Sequence, residues 1–169
     1  TAFGLSAGAA ITTGSRNVAI GGVALNDADA ENDNLAIGYA ALGGAIDGGE
    51  KNVAIGNYSL DANTTGDDNV SVGYNSLTAN TTGGDNVAIG SDALAANTTG
   101  GDNNSIGSAA LAANTTGDDN NAMGSDALVA NTTGTMNIAI GSDALASNTS
   151  ASYNIAIGDA SLTANTTGT

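Results

Sequence analysis

Along the chain, short aliphatic stretches recur between long polar runs. Within each stretch the large residues alternate with Ala, as in Val87-Ala88-Ile89, which is the period of a strand rather than of a helix. A Gly closes every stretch, at Gly4, Gly21, Gly38, Gly56, Gly73, Gly90, Gly107, Gly124, Gly141 and Gly158. All intervals are 17 residues except the step of 18 from Gly38 to Gly56. A single fixed period is the mark of a stacked repeat, in which each unit buries its apolar face only against its neighbours.

Self-alignment gives the unit N-[VIL]-A-[IV]-G-x-x-[AS]-L-x-A-N-T-T-G-x-D, most regular from Asn52 onward. The opening Asn recurs as Asn17, Asn34, Asn52, Asn69, Asn86, Asn103, Asn120, Asn137 and Asn154. A second short strand is expected through Leu94. Gly and Asx-Thr clusters supply the turns between, because Gly accepts positive φ and Asn, Asp and Thr bond nearby backbone. A 17-residue unit has no room for two ordinary helices, and each carries an "NTTG" breaker. The reading is all-β: a parallel β-solenoid with coils of strand, turn, strand, turn. Residues 1–51 form variant N-terminal coils and residues 52–169 the regular ones. A second Asn series supports that division, running only from Asn63 through Asn80, Asn97, Asn114, Asn131, Asn148 and Asn165, where earlier coils have Ile11, Ala28 and Ala45.

Each coil has few large apolar side chains, such as Val87, Ile89 and Leu94, so a further apolar surface is expected to help hold the stack. The stripe Ala19, Ala36, Ala54, Ala88, Ala139 and Ala156 points away from the Val and Ile side of the same strand. It is the expected face for close approach of identical chains around a cyclic axis.

At "NVAIG" the unit resembles the head repeats of trimeric autotransporter adhesins, the YadA-like heads, and similar repeats of bacteriophage tail fibres. Asn86-Val87-Ala88-Ile89-Gly90 and Asn137-Ile138-Ala139-Ile140-Gly141 carry the likeness most clearly, and it recurs along essentially the whole chain. The resemblance implies a left-handed parallel β-roll, a homotrimer with the N-[VI]-A-[IV]-G strand facing the axis, and an extracellular place on a bacterial surface or a virion tail fibre. The "NTTGGD" excursion makes these coils longer than those of the better-known heads and closer to phage and environmental fibres. The neck, heptad stalk and membrane anchor of an entire autotransporter are not in this sequence. Its opening "TAFGLSAGAA", without Met or a basic stretch, reads as part of a longer protein.

Composition narrows the chemistry. There is no His, Cys, Pro or Trp, so the usual general base, thiol nucleophile and soft metal ligands are missing and an enzyme is not expected. Only Arg16 and Lys51 oppose 17 acidic residues, for a net charge of −15, which disfavours nucleic acid. No apolar run approaches the ~20 residues of a bilayer span, so no direct membrane insertion is expected. The expected partners are further copies of the chain and a host-cell or surface receptor.

The repeated polar residues carry paired readings. The Asn before each "VAIG" stacks as an amide ladder between coils or closes an Asx turn, and both roles are structural. "NTT" and "NTS" match glycosylation sequons, though turn formation explains them with less assumption. The expected function is that of a non-enzymatic fibre segment giving multivalent attachment; rows such as Thr64, Thr81, Thr98, Thr115 and Thr132 raise an alternative, binding to ice or a crystal surface, and a purely structural filament scaffold is another. Asp68, Asp85, Asp102 and Asp119 share one register, so either weakly bound divalent cations bridge them or each accepts backbone N–H groups in its own turn. The loop Gly at positions 14, 66, 83, 100, 117, 134 and 168 is replaced by Glu31 and Ala151 in two coils, which predicts ordinary backbone angles there. No other cofactor is expected.

Overall fold

The computed structural model describes residues 1–27, 30–166 and 168; Ala28, an early counterpart of the second Asn series, lies outside them. Ten short strands form one parallel sheet in strict chain order. They are β1 (Ala2–Phe3), β2 (Val18–Ile20), β3 (Leu35–Ile37), β4 (Val53–Ile55), β5 (Val70–Val72), β6 (Val87–Ile89), β7 (Asn104–Ile106), β8 (Asn121–Met123), β9 (Ile138–Ile140) and β10 (Ile155–Ile157). Each pairs with the next in the repeat's own register: Val87 lies over Asn104, Ala88 over Ser105, and Ile89 over Ile106. One strand per 17 residues, always beside the strand of the next unit, is a β-solenoid. At ~4.8 Å per coil the nine steps make a rod roughly 43 Å long.

The second strand expected at Leu94 is not present. That segment is a run of turns in which alternate residues take left-handed angles, with φ of 57° at Asp92 and 52° at Leu94. Such angles cost a non-Gly residue of order 1–2 kcal/mol. They persist because the winding drops Leu94 into the core with no exposure while its N–H donates to the Ala110 carbonyl of the next coil at 3.0 Å. Leu60, Leu77, Leu111, Leu128 and Leu145 repeat the arrangement.

Inside and outside are the reverse of the sequence expectation. Ala19, Ala36, Ala54, Ala88, Ala139 and Ala156 face the interior of their own coil, at most 3% exposed in the single chain, so they are not a face for another chain. Val87 and Ile89 point outward, and Ile89 is 39% exposed. Of the three large residues expected to fill a coil, only Leu94 does. The physical reason is cross-section: a 17-residue turn already encloses one Leu, two Ala and two Asn, leaving no volume for Val and Ile. Where Ser replaces Ala, the hydroxyl is satisfied across the coil. Ser59 Oγ donates to Ser71 Oγ at 2.7 Å, Ser71 Oγ to the Ser76 carbonyl at 2.8 Å, and Ser105 Oγ to the Ala110 carbonyl at 2.7 Å.

The 18-residue coil absorbs its extra residue before the second Asn register. Ala45, expected in that register, is exposed, and its neighbour Ile46 is buried in the core. Ile11 packs against the same core from the first coil.

Candidate functional site: the outward faces of the solenoid

Two ladders of buried amides fix the coil. In the first, Asn103 Nδ2 donates to Asn86 Oδ1 at 3.2 Å, and the same oxygen receives the Asn103 backbone N–H at 3.1 Å. Asn103 Nδ2 also donates to the Gly117 carbonyl at 2.8 Å, closing its own coil. Amide ladder and turn closure are therefore not alternatives, since one Asn performs both. Rungs through side-chain amides join Asn52, Asn69, Asn86, Asn103, Asn120, Asn137 and Asn154. Below them, Asn17 and Asn34 accept the backbone N–H of Asn34 and Asn52. The second ladder runs from Asn63 through Asn80, Asn97, Asn114 and Asn131 to Asn148.

The Gly that ends each strand serves close approach as well as conformation. Gly90 has φ of 140°, and a Cβ there would run into the carbonyl of Gly107. Gly21, Gly38, Gly56, Gly73, Gly107, Gly124, Gly141 and Gly158 share the positive φ. The loop Gly of the "NTTG" turn does have ordinary angles, but at Gly83 a Cβ would meet the Gly100 carbonyl, so contact rather than dihedral selects Gly there.

Two ranks of side chains cover the outer side of the sheet. From β2 to β10, the first rank is Val18, Leu35, Val53, Val70, Val87, Asn104, Asn121, Ile138 and Ile155, and the second holds only Ile, Val and Met. Together they form an aliphatic band two side chains wide along the rod, with a footprint of roughly 400 Å² at strand spacing. That falls within the ~300–600 Å² of the largest apolar patch on a typical monomer, a feature that is often functional. Sequence reasoning missed this face, although a signal was present: the constant Asn and the Ala two residues later share one parity, so a buried Asn ladder requires the Ala to be inside. Beside the band, Tyr39, Tyr58 and Tyr74 stack edge to face, with ring centroids 5.5 and 6.1 Å apart.

A charged row flanks the other edge. Immediately before each ladder Asn stand Arg16, Asp33, Lys51, Asp68, Asp85, Asp102, Asp119, Met136 and Tyr153, so both cations of the chain belong to the aspartate row. Arg16 Nη2 donates to Asp33 Oδ2 at 2.7 Å, and Lys51 Nζ lies 3.7 Å from Asp68 Oδ2. The hydrogen bond from Arg16 holds the Asp33 carboxyl below its usual range and raises the guanidinium in turn. Burial pushes the half-buried Asp61 carboxyl upward, against the N–H of Gly43. Among the described residues no three carboxylates converge on a point that could hold a metal ion, and the surface has no pocket for a small molecule.

The Thr pairs divide. In the row Thr64, Thr81, Thr98, Thr115 and Thr132 each hydroxyl donates to the carbonyl of its counterpart one coil on, at 2.8–3.0 Å. The exposed row is the second one, Thr65, Thr82, Thr99, Thr116 and Thr133. Compared with family models, curated proteins and solved structures, the chain matches none.

Proposed function

We propose that the chain is a non-enzymatic structural and adhesive segment of a trimeric fibre, on a bacterial surface or a virion tail, mediating multivalent attachment to a host cell or surface. The carrying observation is the outward aliphatic band on a thin rod whose interior is already full. Ile20, Ile89, Ile106, Met123 and Ile140 are each 36–45% exposed along one line. A parallel axis shared by three copies covers that band in every coil at once, leaving the acidic and Thr-rich turns outside. Three chains and nine coils then present the same flank many times, so weak contacts sum to avidity. The likeness of "NVAIG" to trimeric heads supports the number three and the left-handed winding. Among the described residues no helix is long and apolar enough to cross a membrane.

Light scattering after size exclusion tests the assembly: a mass of three chains is expected, and Ile89→Asp with Ile140→Asp should reduce it to one. A stable monomer of the unaltered chain overturns the proposal. Attachment is tested by binding of the labelled trimer to whole cells, compared with the Asp variants. The second reading, an ice- or crystal-surface binder, now rests on the exposed row from Thr65 to Thr133, because the first Thr row spends its hydroxyls between coils. Thermal hysteresis in solution would favour it over the fibre.

A further inference from the structure

The aliphatic band is interrupted only at Asn104 and Asn121, which occupy the first rank on the adjacent strands β7 and β8. Val, Leu or Ile fills that rank on every other strand from β2 to β10. The two amides point outward and pair with each other, Asn104 Nδ2 donating to Asn121 Oδ1 at 3.0 Å. That bond uses one donor of Asn104 and the acceptor of Asn121. The oxygen of Asn104 and the amino group of Asn121 are left facing outward with complementary chemistry.

We propose that Asn104 and Asn121 are a register lock, recognising the same pair on a second copy of this chain and fixing parallel, in-register association. This rests on the trimeric reading above. The need for such a device follows from the repeat. Because coils 17 residues apart are nearly the same, a copy that slips by one coil loses one layer of contact and otherwise finds equivalent partners, so periodic contacts set register weakly. The Asn pair is not periodic. In register, amide layers meet amide layers, and the spare oxygen and amino group of each copy find donors and acceptors on the next. After a slip of one coil, Asn104 of one copy faces Val87 of its neighbour, and Ile138 faces Asn121. Two amides per contact are then desolvated against aliphatic side chains. Antiparallel pairing is worse: the amide pair lies off the middle of the stack, so all four amides of two chains fall opposite Val53 and Leu35. A polar residue in an apolar seam is costly wherever it lacks its counterpart, which is how one buried Asn selects register in helical assemblies.

The chain has no Cys, so disulfide mapping reads register directly. An isotopically labelled Ile89→Cys chain is mixed with an unlabelled Ile106→Cys chain, refolded together and oxidised, and the bridged peptides are identified by mass. The same pair is then made on the Asn104→Val/Asn121→Val background, which places the residue of β4, β5 and β6 at outward sites and leaves the coil interior untouched. Bridges joining like positions should outnumber mixed ones by about tenfold or more with the Asn pair present. They should fall to near parity without it, with light scattering still giving an oligomer. An oligomer whose bridges stay homotypic in the Val variant, or are already mixed with the Asn pair intact, overturns the register lock alone. A monomer of the unaltered chain overturns the trimeric reading itself.

Discussion

Asn86 donates its side-chain amide to Asn69 Oδ1, one coil away, at 3.1 Å, and to the carbonyl of Gly100 in its own coil at 2.9 Å. One buried side chain thus ties successive strands together and closes the loop that brings the chain back to the next strand. Asn86 Oδ1 in turn receives the backbone N–H of Asn103 at 3.1 Å.

Asn86→Ala should therefore cost as much as truncating a large apolar core residue, although the side chain is polar. It leaves the buried Asn103 N–H without a partner, at about 1–3 kcal/mol, and takes from the Gly100 carbonyl one of its two donors, Asn97 Nδ2 remaining at 2.8 Å. A loss of about 2–5 kcal/mol is expected, concentrated in the coils on either side because a solenoid's coupling is between neighbours. Hydrogen exchange would show it as lost protection around Asn69–Asn103 with the distant coils little changed. Uniform loss along the rod, or none, would contradict the ladder as the local clamp.

Gly90→Ala tests close stacking. Its φ of 140° is a conformation reached almost only by Gly, and the added Cβ would run into the Gly107 carbonyl. Roughly 3 kcal/mol or more is expected from the dihedral and the clash together. Gly84→Ala is the control: its Cβ would come no closer than 3.2 Å to the Asp67 carbonyl oxygen, and Asp67 and Asp118 already carry side chains in that register. That change should stay within about 0.5 kcal/mol. Urea melts of the two variants, compared at equal slope, measure the difference.

Much of this fold could be read from spacing alone. The 17-residue interval defines the coil, the strand at "NVAIG", the buried Leu and the two Asn registers, because each is a one-dimensional fact repeated down the chain. What misled was the direction in which Val87 and Ala88 face. Alternation separates two faces without saying which is inside, and the larger residues are the usual core. Here the coil is too narrow for them, a three-dimensional limit that depends on how tightly the segment around Leu94 turns. That turn was hidden for a related reason: left-handed angles at Asp92 and Leu94 are not chosen by residue type but imposed by stacking. Asn104 and Asn121 look like ordinary polar variation until the outward face is known to be aliphatic.

Two aspartates should give opposite pH responses. The carboxyl of Asp33, held low by Arg16, contributes stability that is present above the ordinary carboxyl range and is lost as pH falls through its lowered pKa. Asp61, raised by burial, works in reverse: its contribution is present below the ordinary range and is lost as pH rises through the raised value. Asp61→Asn should therefore melt higher than the unaltered protein at neutral pH and converge with it in acid. Asp33→Asn should melt slightly lower at neutral pH, by a margin that added salt removes, since the pair is exposed. Melting temperature against pH for the three proteins checks both signs, and a neutral-pH loss in Asp61→Asn would refute the burial argument.

The aspartate row offers a final test, on ions. Lys51 stands next to Asp68, but the row then continues through Asp85, Asp102 and Asp119 with no cation of the chain between them. Like charges ~5 Å apart repel by about 0.8 kcal/mol per pair in water. Monovalent salt relieves this by screening alone, whereas a divalent cation with oxygen ligands can bridge successive carboxylates. Calcium should consequently raise the melting temperature beyond sodium chloride of equal ionic strength, by about 2–4 °C for each kcal/mol recovered. Asp85→Asn with Asp102→Asn should raise the baseline and abolish that excess, because the middle of the row is then neutral. If calcium and sodium act alike at matched ionic strength, and chelation leaves the melting temperature unchanged, the row is hydrated carboxylate held in its own turns and binds no cation.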